Sequence, residues 1–194
     1  MTIKLPNEVH GETLFNKKEI TIDPGITILV GCNGAGKSSL LTVIKQHCDN
    51  NSIPVLSFDS IRDADKIANR TTLGLVRSLS SSEGEKLRHI LGSHASSIGY
   101  FIKTNNGEKV LLFDAVDSGA SIDNIIDLKD DLFNTALKMT KDLYIVCAAN
   151  SYEMVKFEKC LDVNSGNYLS FSDYEDFRSF IIKSRELKDQ RYNK

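Results

Sequence analysis

The segment from Gly31 to Ser39 has the residue types and the spacing of a loop that binds phosphate groups. It reads Gly-Cys-Asn-Gly-Ala-Gly-Lys-Ser-Ser, and its glycines let the backbone wrap so that successive N–H groups point at phosphate oxygens. Lys37 offers a positive charge to the terminal phosphates of a nucleotide, and the Ser38 hydroxyl is suited to bind Mg²⁺. The predicted nucleotide contacts in this loop are Asn33, Gly34, Ala35, Gly36, Lys37, Ser38 and Ser39.

The residues on either side of the loop support this interpretation. An apolar run at residues 26–30 predicts a strand before the loop, and apolar residues with helical spacing at 40–44 predict a helix after it. A strand, a glycine-rich turn and a helix are the context in which such a motif binds phosphate. The sequence therefore predicts a nucleotide-binding chain with ATP and Mg²⁺ as cofactors.

A second candidate metal ligand is Asp114. It ends an apolar run that begins at Lys109, which predicts a buried strand with a carboxylate at its end. An acid in that position, on a strand beside the loop, can complete the Mg²⁺ shell, here through a water molecule. Many buried strands end in Asp, so the prediction that Ser38 and Asp114 hold the metal depends on the loop upstream.

The elements that must position these residues alternate between strand and helix patterns. This alternation predicts an α/β fold with a mostly parallel central sheet flanked by helices, in one ATP-binding domain over residues 1–194 that includes a small helical lobe at about 60–100. The clearest predicted elements are strands at 53–58, 109–114 and 143–148, a helix at 122–138 with Ser121 as its N-cap, a hairpin at 160–171 and a final helix at 174–188.

The charge balance and the apolar runs limit the function classes. The formal net charge is -2, which gives no support to a general electrostatic grip on nucleic acid, although a local basic patch stays open. No apolar run approaches the length of a membrane span, and the N-terminus lacks a signal-peptide pattern, so we expect no membrane partner.

The four cysteines have no metal-type spacing, so we expect a cytoplasmic protein with reduced thiols. The basic stretch at 183–194 is interrupted by acids and predicts a solvated helix face.

A further motif points to a subclass. Residues 81–85 read Ser-Ser-Glu-Gly-Glu, in which Ser82 and Glu85 form a capping box at the start of a helix. This segment resembles the signature motif of ABC-type ATPases, with Ser82, Gly84 and Glu85 at the matching positions and Glu83 where a glycine is usual. Residues 117–121 resemble the D-loop of the same family. The segment at 22–27 looks closest to the SMC and RecF-like branch of that family. Only 45 positions separate Lys37 from Ser82, so the resemblance is to a minimal member without coiled-coil arms.

The resemblance implies roles for several residues. In that family ATP pairs two subunits, and the signature serine and helix start reach the phosphate bound by the other subunit. It implies Lys37, Asp114, Asp117 and Asn150 as the catalytic set, with two departures. The general base of the family is a Glu where this chain has Ala115, and its phosphate-sensing His is replaced by Asn150. Asp117 is the nearest acid that could substitute as base, and we expect weak hydrolysis.

Several functions remain open at this point. The first is an ATP-dependent dimerisation switch, formed with a second copy or with a heteromeric partner protein. The second is a hydrolysis-deficient nucleotide-binding module that regulates a partner. A small P-loop kinase would leave the signature and D-loop resemblances unexplained. The biological process is open as well, with nucleic-acid processing and phage or defence biology among the settings that suit such a chain.

Overall fold

A computed structural model describes residues 1–8, 13–59, 83–118 and 120–192. Its strands are β1 (Thr2–Lys4), β2 (Glu19–Thr21), β3 (Gly25–Val30), β4 (Val55–Asp59), β5 (Lys109–Asp114), β6 (Leu143–Ala148), β7 (Cys160–Asp162) and β8 (Tyr168–Leu169). Its helices are α1 (Lys37–Asn50), α2 (Glu83–Thr104), α3 (Ile122–Asp127), α4 (Asn134–Met139), α5 (Tyr152–Val155) and α6 (Tyr174–Tyr192). A π-helical stretch, Leu128–Phe133, joins α3 to α4.

Six of these strands form the central sheet, in the order β4-β5-β6-β3-β7-β8. All neighbours from β4 to β7 are parallel, and only β8 runs antiparallel, against β7. The strands β1 and β2 form a separate antiparallel pair. The predicted α/β fold with a mostly parallel central sheet is confirmed. Its five parallel strands all end at one edge of the sheet, where loops carry the candidate site.

Helices cover both faces of this sheet, which explains why its central strands are apolar throughout. On one face, Leu40 and Ile44 of α1 pack against strand residues such as Val146. On the other face, Ile98 of α2 and Phe133 of the π-helical stretch pack with strand residues of the second core cluster. Because alternate side chains of a strand point to opposite faces, a strand that is covered twice must be apolar at nearly every position.

Most of the predicted elements in the described part are observed. The helix predicted at 122–138 corresponds to α3, the π-helical stretch and α4, and the predicted hairpin corresponds to β7 and β8. Ser121 occupies the N-cap position, but it makes no cap hydrogen bond to the backbone; its hydroxyl accepts from Asn124 Nδ2 at 2.8 Å instead. The predicted helical lobe lies partly outside the described residues, and α2 is the part that can be seen. None of the helices described is both long and apolar enough to cross a membrane.

The strand order is a feature that the sequence analysis did not predict. The acidic strand β5 is not adjacent to β3, which leads into the loop, because β6 lies between them. Local sequence pattern cannot reveal this order, because each of these strands is equally apolar. The carboxyl ends still share one edge, so Asp114 can reach the loop across the end of β6.

Candidate functional site

The loop between β3 and α1 has a backbone that requires glycine. Gly36, directly before α1, has φ +108°, a conformation that L side chains rarely adopt, and a Cβ there would lie 3.3 Å from Leu14 Cδ1. A Cβ on Gly31 would lie 2.9 Å from the Ala35 Cβ, closer than such atoms approach in proteins. Glycine at these positions therefore lets the chain turn tightly from the strand into the helix.

The first turn of α1 is open to an anion. The helix begins at Lys37, its N-cap residue Gly36 makes no side-chain cap, and no acidic residue lies in its first turn. The first N–H groups of a helix have no partner within the helix, and the aligned peptide dipoles add partial positive charge there. A 14-residue helix with such an uncapped start is suited to hold phosphate oxygens.

Lys37 places its charge inside the loop. Its side chain is only 8% exposed, and its ammonium donates hydrogen bonds to the carbonyl oxygens of Gly31 at 2.7 Å and Cys32 at 3.2 Å. Burial lowers the pKa of this ammonium, and the negative charges of Asp117 and Asp114 nearby act in the opposite direction. The loop thus surrounds a cation that a phosphate group can neutralise at close range.

Ser38 and Asp114 are brought together from positions 76 residues apart. The Ser38 hydroxyl donates to Asp114 Oδ1 at 3.1 Å. Mg²⁺ binds oxygen at about 2.0–2.1 Å in an octahedron, in which adjacent ligands lie roughly 3 Å apart. The two oxygens therefore have the chemistry and the spacing of neighbouring Mg²⁺ ligands, with phosphate oxygens and water left to complete the shell. A bridging water at Asp114 is compatible with the same arrangement.

Asp117 holds two strand ends together. It is buried, and its Oδ2 accepts the backbone N–H groups of Asn150 and Ser151, both at 2.6 Å. Its other oxygen, Oδ1, is buried without a hydrogen-bond partner among the described residues. Asp117 therefore connects the turn after β5 to the end of β6, and one of its two oxygens is committed to that contact. The Asn150 side chain is exposed at the same edge of the sheet.

Ala115, directly after Asp114, has an unusual backbone conformation. Its φ is +54°, in the left-handed region, and its carbonyl accepts the N–H of Ser118 at 3.1 Å. The position at which the resembled family has its general base is thus the start of a tight turn. No carboxylate is available there.

The remaining predicted contacts are only partly described. Ser82 and Gly119 lie outside the described residues, while Gly84 and Glu85 belong to the first turn of α2. The predicted site residues that meet at the sheet edge are Lys37, Ser38, Asp114, Asp117 and Asn150, together with the loop from Asn33 to Ser39. The roles assigned to them remain predictions.

The sequence interpretation missed contacts from the C-terminal helix. Ser184 of α6 accepts the N–H of Cys32 at 3.0 Å, and Lys188 donates to the carbonyl of Asn33 at 3.4 Å. Most residues of the stretch 183–191 are exposed, as in the predicted solvated helix face, but Ser184 and Lys188 contact the phosphate loop. The signal was present in the spacing, since Ser184 and Lys188 follow the apolar residues Phe177 and Ile181 on one helical face.

Comparisons with known proteins leave the family of this chain unassigned. No protein-family model and no curated protein sequence matches it. Among solved structures, that of PCH-2 from C. elegans is similar over 86% of this chain, with 14% sequence identity and a TM-score of 0.41. The chain spans 39% of the length of that protein chain. The likeness to ABC-type ATPases thus remains an interpretation of motifs.

Proposed function

We propose that this chain binds ATP together with Mg²⁺ at the loop between β3 and α1. The observation that carries the proposal is the contact of Ser38 with Asp114, at the start of the helix whose first residue is the buried Lys37. Three side chains from two distant segments supply the cation, the hydroxyl and the carboxylate that a triphosphate with its metal requires.

Each residue has a distinct task in this proposal. Backbone N–H groups of the loop and of the first turn of α1 bind phosphate oxygens. The Lys37 ammonium gives up its hydrogen bonds to carbonyl oxygens and binds phosphate oxygens instead. Ser38 and Asp114 hold Mg²⁺, which neutralises charge on the phosphates when it is bound. Because Lys37 is buried, its attraction for phosphate is screened by water much less than that of a surface lysine.

We propose that hydrolysis of the bound ATP is slow. Ala115 cannot orient a water molecule, and one carboxylate oxygen of Asp117 already accepts hydrogen bonds from the backbone of residues 150–151. Loss of a positioned general base costs about 10²–10⁴-fold in rate. These two features favour a nucleotide-dependent switch over rapid turnover.

The partner that such a switch controls is proposed to be a second copy of this chain. The support is the signature-like sequence at the start of α2, since a helix start that carries Ser82 and Gly84 can cap a phosphate presented by a neighbour. A two-fold dimer would complete two such sites at once. A heteromeric partner is the alternative, and a regulatory module without turnover would use the same contacts.

Titration of a fluorescent ATP analogue with Mg²⁺ tests the binding proposal. Lys37→Ala should weaken binding roughly 10- to 100-fold, because a charge-assisted contact of about 1.5–3 kcal/mol is lost. Lys45→Ala is the matched control, since Lys45 is exposed on the same helix and should bind as wild type does. Equal affinity of the Lys37 variant and wild type would contradict nucleotide binding at this loop.

A further inference from the structure

The C-terminal helix α6 carries a polar stripe that faces the phosphate loop. Ser184, Lys188 and Arg191 are spaced four and three residues apart, which places them on one face of the helix. Each of them contacts the loop or a segment packed against it. Ser184 and Lys188 thus contact loop residues that lie 152 and 155 positions earlier in the chain, and Arg191 contacts Leu14 beside the loop.

Ser184 holds the start of the loop. Its side chain is 2% exposed, and its oxygen accepts the Cys32 backbone N–H at 3.0 Å and the Asn164 amide Nδ2 at 3.0 Å. The N–H of Cys32 is thereby turned toward α6, and water cannot easily replace Ser184 at this buried place. Removing the hydroxyl would leave a buried backbone donor unsatisfied.

Lys188 contacts the tip of the phosphate loop, and Arg191 contacts the segment at Leu14, which lies beside the end of the loop. The Lys188 ammonium donates to the Asn33 carbonyl at 3.4 Å, and its Cδ lies 3.5 Å from where a Cβ of Gly34 would be. Arg191 donates to the Leu14 carbonyl at 3.1 Å and to Asn164 Oδ1 at 2.8 Å. Leu14 in turn packs against Gly36, so α6 supports the loop along its outer side.

We propose that Ser184, Lys188 and Arg191 are positioning residues for phosphate binding, and that nucleotide binding in turn strengthens the docking of α6. The inference rests on the proposed function. A glycine-rich loop has many accessible backbone conformations, and binding must select one of them at an entropic cost. Hydrogen bonds from α6 that hold the loop in one backbone conformation before the nucleotide binds lower this cost. Coupling between two sites is reciprocal, so the ligand must stabilise the α6 contacts by the same factor.

Nucleotide titration of α6 variants is the first test. Ser184→Ala should bind the fluorescent ATP analogue with Mg²⁺ about tenfold more weakly than wild type, which corresponds to about 1.4 kcal/mol. Lys188→Met keeps the aliphatic stem but loses the contact with Asn33, and should bind about threefold more weakly. Lys188→Arg should restore most of the affinity, whereas Lys183→Met removes the same charge from an exposed position of the same helix and should have no effect.

Hydrogen exchange measured by mass spectrometry is the second test, and it reports coupling directly. In wild type, MgATP should slow exchange of the backbone amides in residues 180–191, which do not contact the ligand in our proposal. The slowing should be reduced in Lys188→Met, which keeps the buried Ser184 contact and so tests the coupling even if Ser184→Ala fails to fold.

The outcomes separate the two proposals. If wild type binds MgATP and all α6 variants bind it equally well, the positioning role is wrong while the proposed function stands. Unchanged exchange in residues 180–191 on MgATP binding would overturn the reciprocal coupling. If wild type itself does not bind MgATP, the proposed function fails, and the positioning inference fails with it.

Discussion

At the scale of single residues, Ala115 gives the sharpest expectation about chemistry. Its φ of +54° is tolerated by alanine, and an unbranched longer side chain would meet the same backbone strain. Ala115→Glu would place a carboxylate next to Asp114, and we expect it to raise ATP turnover by about 100-fold or more, the usual contribution of a positioned base. Steady-state phosphate release measures the rate.

Ala115→Gln is the control for this substitution, because it has the same shape without the negative charge. It should leave turnover at the wild-type level. Wild-type turnover well above about 1 s⁻¹, within the ordinary enzyme range, would show that another group already serves as base. Asp117 would then be the first residue to replace, since its Oδ1 is free of hydrogen bonds within the described part.

At the scale of elements, the hydrogen-bonded contact between the ends of β5 and β6 depends on the carboxylate of Asp117. Asp117→Ala would leave the N–H groups of Asn150 and Ser151 without their acceptor. We expect the free energy of unfolding to fall by about 2–3 kcal/mol, since hydrogen bonds to charged groups contribute about 1.5–3 kcal/mol each and partial solvation recovers some of the loss. Urea denaturation measures it, with the exposed Asp131→Ala as control. A change below about 0.5 kcal/mol, the range of ordinary surface substitutions, would contradict this role.

The same elements show how far the sequence alone could predict the structure. The strands β5 and β6 and the start of α1 were predictable, because an apolar run or a glycine-rich turn is a local signal. The order β5-β6-β3 was not, since pairing between equally apolar strands depends on the whole sheet. The contact between Ser38 and Asp114 followed from motif chemistry. The contact between Ser184 and Cys32 did not, because helical spacing places Ser184 on the same face as Phe177 and Ile181 but does not identify a partner 152 residues away.

At the scale of the whole molecule, the proposed pairing of two chains can be measured. Light scattering with MgATP under non-hydrolysing conditions should show the mass of wild type doubling. Ser82→Arg should stay at the mass of one chain while still binding the nucleotide, because a bulky side chain would collide with the phosphate held by the partner. Ser170→Arg, at an exposed position after β8, should dimerise as wild type does. A wild type that remains monomeric at saturating MgATP would exclude self-pairing and leave a heteromeric partner as the explanation.

The support of the loop by α6 also has a consequence for how the chain is made. Protein synthesis adds about 5–20 residues per second, so Ser184 is joined to the growing chain roughly 8–30 s after Cys32. During this interval the nascent chain already contains the complete loop sequence, but the side chains that fix its outer face do not yet exist. The loop of a nascent chain that lacks α6 should therefore bind ATP more weakly than the loop of the finished chain.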